Sequence, residues 1–219
     1  MIIQVVGNNI EPEWILPINY INYTCNYTSN ITSRKRGVVS PKKFNEIDFK
    51  NFKEWNGNII RWQINVDYDP YEKTYSILIE YILSELESVI KIVESLKLWV
   101  IFTIQIPPGG KYSNGIFKLF IFSTYLDPYL NLLQQISSRL KGKSSRIWAY
   151  DLLNELKEST SYYNGYIHFL ELQKRAIEVI RNIDPNIPII VSSIKSDYKD
   201  MVPFNYSNII YKLNYYNPY

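Results

Sequence analysis

From Leu98 to Ile106 the chain reads Leu-Trp-Val-Ile-Phe-Thr-Ile-Gln-Ile, with Thr103 and Gln105 as its two polar residues. A run this short and this rich in β-branched and aromatic side chains suits a strand buried on both faces. Such strands belong to parallel sheets covered by helices. Pro107-Pro108-Gly109-Gly110 ends the run and opens a loop. The same grammar recurs along the chain. Short strands are read at Arg36–Val39, Asn58–Ile64, Arg146–Leu153, Pro188–Ser193 and Asn208–Tyr215. Between them lie helical stretches. Phe44, Ile47, Phe49, Phe52 and Trp55 have helical spacing, with Gly57 as a stop signal. Ile77, Tyr81, Ile82, Leu86, Val89, Ile90, Val93 and Leu96 form one stripe. Asp127–Leu140 and Gly165–Ile183 follow as helices.

Strands alternating with helices of this length indicate βαβ units and a parallel sheet. A closed (β/α)₈ barrel takes about 250 residues. This sequence of 219 residues therefore reads as α/β, a TIM (β/α)₈-type barrel with about six of eight βα units present. Residues 1–35 form an irregular N-terminal segment, and 36–219 the partial barrel domain. Six strands in an open sheet would leave two unpaired edges, which favours self-association.

The scarce residues narrow the chemistry. His168 is the one histidine and Cys25 the one cysteine. That excludes an intrachain disulfide and any multi-histidine or thiolate metal cluster, and a Ser-His-Asp triad or a Cys-His pair would need His168 itself in the right place. Proton chemistry falls to carboxylates, Lys or Tyr. His168, on an amphipathic helix, reads as a surface or packing residue. The net charge of +3 is scattered apart from Arg34-Lys35-Arg36 and Lys42-Lys43, so no nucleic-acid partner is implied. No uninterrupted apolar stretch reaches the roughly 18 residues of a membrane span, and residues 1–10 lack a signal-peptide pattern. Three Asn-X-Thr sequons at Asn22, Asn26 and Asn30 sit in an Asn-rich stretch and read as chance. Gly109-Gly110-Lys111 lacks a phosphate loop's spacing, and Asp67-Tyr68-Asp69 lacks the rest of a calcium loop. Trp62 and Trp148 read as core.

Barrel enzymes work at the C-terminal ends of their strands. The polar residues read there are Arg61, Gln63, Thr103, Gln105, Asn154, Glu155, Asn214 and Tyr216. Glu155 is the one carboxylate in that set, next to Asn154. In a barrel mouth its acidity would be weakened by burial, which suits a general acid near neutral pH. Arg61, on an apolar strand, calls for a carboxylate partner.

These positions also carry a family likeness. Trp148-Ala149-Tyr150-Asp151-Leu152-Leu153-Asn154-Glu155 resembles the fourth-strand motif of glycoside hydrolase family 5 cellulases. Arg36-Gly37-Val38, Asn58–Gln63, Pro107–Gly110, Ala176–Pro185 with Pro188–Val191, and Asn208–Tyr211 with Tyr216–Tyr219 resemble its other segments in order. The resemblance implies a retaining glycosidase acting on a β-linked glucan or mannan, with an oligo- or polysaccharide as partner and no cofactor or metal, since carboxylate glycosidases need none. Glu155 would be the acid/base, Asn154 would bind the sugar 2-hydroxyl, Arg61 would orient the nucleophile, and Tyr216 would line the site. Gln105 and Asn214 stand where the family usually has histidines, and Leu156 where it has proline. The family's nucleophile is a Glu on a seventh strand, and no Asp or Glu follows Asp200 here. Arg61 is therefore expected to lack its main counter-charge. The alternative implied is a catalytically inactive carbohydrate-binding pseudoenzyme, and a remnant without function is a third reading. Family members are usually secreted. The sugar, its linkage and the oligomeric state are not encoded in any of these motifs.

Overall fold

A computed structural model describes residues 2–3, 35–40, 45–154, 167, 169–192 and 203–213. The elements in chain order are β1 (Ile2–Ile3), β2 (Gly37–Val39), α1 (Glu46–Glu54), β3 (Ile59–Asn65), α2 (Tyr75–Ser95), β4 (Trp99–Ile106), α3 (Leu126–Leu140), β5 (Ile147–Asp151), α4 (Phe169–Ile183), β6 (Ile189–Ser192) and β7 (Ile209–Leu213). Strands β2 to β7 pair parallel in sequential order, as six consecutive strands of a (β/α)₈-type barrel. The order β1-β7-β6-β5-β4-β3-β2 adds one antiparallel strand. There Ile2 faces Leu213 and Ile3 faces Lys212. One of the two edges expected open is therefore paired. A two-residue strand has no periodicity for a sequence reading to detect.

Each helix starts and stops for local reasons. Asn45 caps α1: its Oδ1 accepts from the amides of Ile47 and Asp48 at 2.9 and 3.1 Å. Asp48 Oδ2 accepts from the Asn45 amide at 2.8 Å, completing a capping box. At the other end Asn56, not Gly57, takes the left-handed turn, with φ of 60°. Gly57 serves close approach instead, since a Cβ there would lie 2.1 Å from the Phe52 ring. Helix α1 buries Phe49 and Phe52, while Ile47 and Trp55 are exposed. In α2 the buried stripe is Ile79, Ile82, Leu83, Leu86, Val89, Ile90 and Val93. Ile77 and Tyr81, expected on that stripe, face solvent. Each buried apolar side chain of this kind contributes about 1.5–3 kcal/mol relative to exposure.

The strands divide their side chains between two cores. Ile60, Trp62, Ile64, Val100, Phe102, Ile104, Tyr150 and Val191 face the helices in one large cluster. Ile59, Ile101, Trp148, Ala149, Ile190 and Ile210 form a second cluster inside the sheet's concave face, with Trp99 against it. Trp62 and Trp148 are thus both core residues, and Trp62 stacks on Phe49 at 5.9 Å. Trp148 and Ala149 are neighbours, yet both belong to the inner cluster. The register explains this: Val100 pairs with Ile147, but Ile101 pairs with Ala149, so Trp148 is the extra residue of a β-bulge. A bulge resets the alternation of the strand that carries it. Beyond this one, Asp151 falls on the inner face.

Candidate active site at the strand ends

Two residues along from each inner apolar residue, the same face turns polar. Ile59 leads to Arg61, Ile101 to Thr103, Ala149 to Asp151, Ile190 to Ser192 and Ile210 to Lys212. The period of two in a strand places each pair on one side of the sheet. All five polar residues are buried. The result is an ionic layer directly above the apolar one, toward the C-terminal strand ends.

Asp151 is its centre. Arg61 donates to Asp151 Oδ2 from Nε at 3.0 Å and from Nη2 at 2.7 Å. Lys212 Nζ lies 3.0 Å from Oδ1 and 2.9 Å from Oδ2. The Thr103 hydroxyl donates to Oδ2 at 3.2 Å. Buried charges persist only when paired and hydrogen-bonded. Here one carboxylate serves two cations, so within the described residues the layer is net positive. Arg61 therefore has a counter-charge, contrary to the sequence expectation, and it comes from β5. The bulge at Trp148 makes this possible by aiming Asp151 inward.

The layer reaches upward to the mouth. Arg61 Nη2 also donates to Asn154 Oδ1 at 2.9 Å. The Asn154 amide donates to the Ile104 carbonyl at 2.9 Å, which holds Asn154 against the end of β4. Lys212 Nζ donates to the Leu153 carbonyl at 3.3 Å, and the Ser192 hydroxyl reaches the same oxygen at 3.5 Å. The Tyr129 hydroxyl donates to the Leu152 carbonyl at 2.9 Å. Burial, and then the charge of Asp151, push the Tyr129 phenol well above its usual range. The chain leaving β5 is thus fixed at three consecutive residues by groups from β3, β4, β6, β7 and α3.

Of the residues expected at the site, the structure brings Arg61 and Asn154 into direct contact. Gln105 stands half-buried at the end of β4, where it is the extra residue of a second bulge: Ile64 pairs with Ile104, and Asn65 with Ile106. Its Oε1 is shielded from solvent and has no hydrogen-bond partner among the described residues. Glu155, Asn214, Tyr216 and His168 lie outside the described residues. Asp151 and Lys212 were not expected as site residues. Their signal in the sequence is the isolated charge within an apolar strand, Trp148–Leu153 for one and Ile209–Leu213 for the other. A charge so placed needs a partner of opposite sign on a neighbouring strand.

No group of three or more His, Cys, Asp or Glu side chains among the described residues could hold a metal ion. No described helix is long and apolar enough to cross a membrane.

A family model described as cellulase (glycosyl hydrolase family 5) matches residues 23–219. The endoglucanase Cel5A of Thermotoga maritima is similar in structure, with a TM-score of 0.67 at 22% identity, covering 84% of this chain and 61% of that one. Cel5A of Pseudomonas stutzeri, solved with cellobiose, gives a TM-score of 0.59 at 15% identity, covering 77% and 50%. The cellulose synthase subunit Z of Clostridioides difficile gives 0.65 at 20% identity, covering 85% and 62%. At these identities the likeness is one of fold. The chain spans between half and two thirds of the length of these structures. A search of curated proteins finds no match. The chain belongs to glycosyl hydrolase family 5.

Proposed function

We propose, from this family membership, that the chain carries the acid/base half of a retaining glycoside hydrolase acting on a β-linked glucan or mannan. The observation that supports the reading is the ionic layer beneath the mouth. It anchors Asn154, the residue immediately before Glu155, through Arg61 and through the Ile104 carbonyl. Preorganised polar groups at strand ends are how this barrel architecture builds its chemistry.

In this reading Glu155 donates its proton to the glycosidic oxygen as the bond to the anomeric carbon breaks. A second carboxylate attacks that carbon and forms a glycosyl ester. Glu155, now ionised, takes a proton from water, and the hydroxide equivalent displaces the ester. Asn154 Oδ1 is engaged by Arg61, so the group Asn154 offers a sugar hydroxyl is its NH2. Asp151 is not the second carboxylate, since it lies below the mouth with both oxygens held by cations.

A second reading, sugar binding without turnover, is favoured by one specific observation. Arg61 already has a counter-charge in Asp151, which it meets through Nε and Nη2, so this cation is neutralised without a nucleophile beside it. One experiment separates the two. The protein, expressed from its longest open frame, is incubated with a panel of β-glucans and β-mannans, and reducing ends are counted against Glu155→Gln. Calorimetry with cello- and manno-oligosaccharides runs in parallel. Turnover lost in Glu155→Gln supports the hydrolase. Heat of binding without turnover supports the binding protein. Neither heat nor turnover removes both.

A further inference from the structure

The parallel ladder between β5 and β6 stops short of the strand ends. The Tyr150 amide donates to the Pro188 carbonyl at 3.0 Å, and the Leu152 amide to the Ile190 carbonyl at 3.2 Å. An evenly spaced parallel ladder would continue with two more bonds. The Ser192 amide would donate to the Leu152 carbonyl, and the Asn154 amide to the Ser192 carbonyl. Neither bond forms. The Ser192 amide donates instead to Gln173 Oε1 at 3.0 Å, and the Ser192 carbonyl accepts from Gln173 Nε2 at 3.3 Å. One side-chain amide from α4 therefore stands in for two backbone groups of β5. The Leu152 carbonyl is taken by the Tyr129 hydroxyl of α3 at 2.9 Å.

The apolar pattern of the two helices calls for neither residue. Gln173 shares the buried face of α4 with Phe169, Leu172, Ala176, Ile177 and Ile180. It is 3% exposed, and Tyr129 on α3 is 1% exposed. A buried amide or hydroxyl is costly unless it is bonded. A regular ladder would satisfy the same backbone with no polar side chain in either helix. What the two residues maintain is therefore the break itself. Its consequence is a change of side. The amides of Tyr150 and Leu152 point to β6, but the Asn154 amide points to β4, where it donates to the Ile104 carbonyl at 2.9 Å. Between them the Leu153 carbonyl accepts from Lys212 Nζ at 3.3 Å. On the β4 side Asn154 Oδ1 comes within 2.9 Å of Arg61 Nη2.

We propose that Gln173 and Tyr129 are positioning residues for the mouth. By replacing β5 at Ser192 and Leu152, they release Asn154 from β6 to β4, and so set the point from which Glu155 departs. The strand switch stands on the geometry alone, while its value for function rests on the carbohydrate reading of the site. Tyr129 is a lasting donor, because burial holds its phenol protonated.

The test is amide exchange of the full chain, resolved by NMR, in Tyr129→Phe/Gln173→Met, in Tyr129→Phe and in Arg181→Met. Arg181 bonds the carbonyls of Ile187 and Asn208 at the opposite end of β6, so its loss controls for lowered stability. In the double variant the Ser192 amide and the Leu152 carbonyl are left to each other, and the ladder can close. Exchange at Asn154 should then rise about tenfold, the scale of one hydrogen bond, with Ile189 unchanged. Tyr129→Phe keeps its ring in the core and should give a smaller rise in the same direction, which carries the test if the double variant does not fold. Arg181→Met should do the reverse, raising Ile189 and sparing Asn154. An unchanged Asn154 rate in the Tyr129 variants overturns the inference. So does an equal rise at Asn154 and Ile189, which would make the pair a plain stability element. Titration with cellobiose, read at the Asn154 amide resonance, addresses function. Cellobiose should shift that resonance in wild type and in Arg181→Met, with a Kd about tenfold higher in the double variant. An equal Kd in all three overturns the positioning role. If cellobiose leaves the wild-type resonance unmoved while the exchange result holds, the carbohydrate reading fails and the strand switch stands. If cellobiose binds but the exchange result fails, the site reading survives and this inference does not.

Discussion

Asp151→Asn removes the carboxylate that Arg61 and Lys212 share and keeps its shape. Leaving one buried charge without its partner costs about 3–5 kcal/mol. Here Asp151 is the carboxylate that both cations share among the described residues, so a loss of about 4 kcal/mol or more is expected. In a chain of this size each kcal/mol shifts Tm by about 2–4 °C, so Tm should fall by about 8–16 °C. Lys212→Met should be far milder. Asp151 then keeps Arg61 and Thr103, and methionine fills the lysine stem, for a loss of about 1–2 kcal/mol. The double variant tests the reasoning directly. With Asp151 already Asn, removing Lys212 relieves a repulsion, so the two losses should fall short of additivity by about 1–3 kcal/mol. Urea unfolding followed by circular dichroism measures all four corners of the cycle. Strict additivity, or an Asp151→Asn loss below about 1 kcal/mol, would refute the shared-carboxylate account, since that is the size of an exposed ion pair.

Three further outcomes follow from other parts of the molecule. Arg181 donates to the carbonyls of Asp184, Ile187, Ser207 and Asn208, tying the end of α4 to the starts of β6 and β7. Arg181→Met should cost about 2–3 kcal/mol and speed amide exchange at Ile189, whose N–H bonds to the Asn208 carbonyl. Unchanged exchange there would contradict the clamp. Gly110→Ala should destabilise by about 1–3 kcal/mol, because φ is +71° and a Cβ would meet Asp67 Oδ1 at 1.8 Å; an unaltered melting curve would refute it. Burial pushes the Tyr75 phenol up to about 12, and those of Tyr129 and Tyr150 higher still. Unfolded tyrosines ionise near about 10, so above that pH unfolding releases protons and stability falls as pH rises, with no contribution below it. Melting between pH 9 and 11.5 checks the sign, and a flat Tm would overturn it.

The alternation of strand and helix was legible because its signals are long and periodic. The run at 98–106 predicted β4, and the stripe at 82–93 predicted the buried face of α2. The stripe failed at Ile77 and Tyr81, which lie on the face of α2 opposite Ile79, Ile82 and Leu86, the residues that the same turns bury. Arg61 and Asn154 were read from the sequence at strand ends, and the structure brings them into contact there. Asp151 was not so read, for a physical reason. Simple alternation from Trp148 would put Tyr150 and Leu152 on the inner face, and the bulge that reverses this is a pairing irregularity without a residue signature. Lys212 was missed because a lysine in an apolar strand is explained only by a partner 61 positions away. Sequence reading finds charges that break a pattern more easily than it finds who neutralises them.

That pairing also bears on why the ionic layer exists. Apolar residues of similar volume in place of a buried ionic cluster are often neutral, or stabilising by about 1–4 kcal/mol. The layer is therefore weak as a source of stability, and its value lies in what it orients. The triple variant Arg61→Met, Asp151→Leu, Lys212→Met separates the two roles. It removes all three charges of the layer together and keeps the inner face filled, so it should melt no lower than wild type by more than about 1 kcal/mol equivalent. It also deletes the donor to Asn154 Oδ1 and the donor to the Leu153 carbonyl. Cellobiose should then no longer shift the Asn154 resonance, although the fold is intact. If the variant instead loses several kcal/mol, the cluster is structural. If it keeps both stability and the cellobiose response, Asn154 is held by β4 alone, and the route from Asp151 through Arg61 to the mouth carries no function.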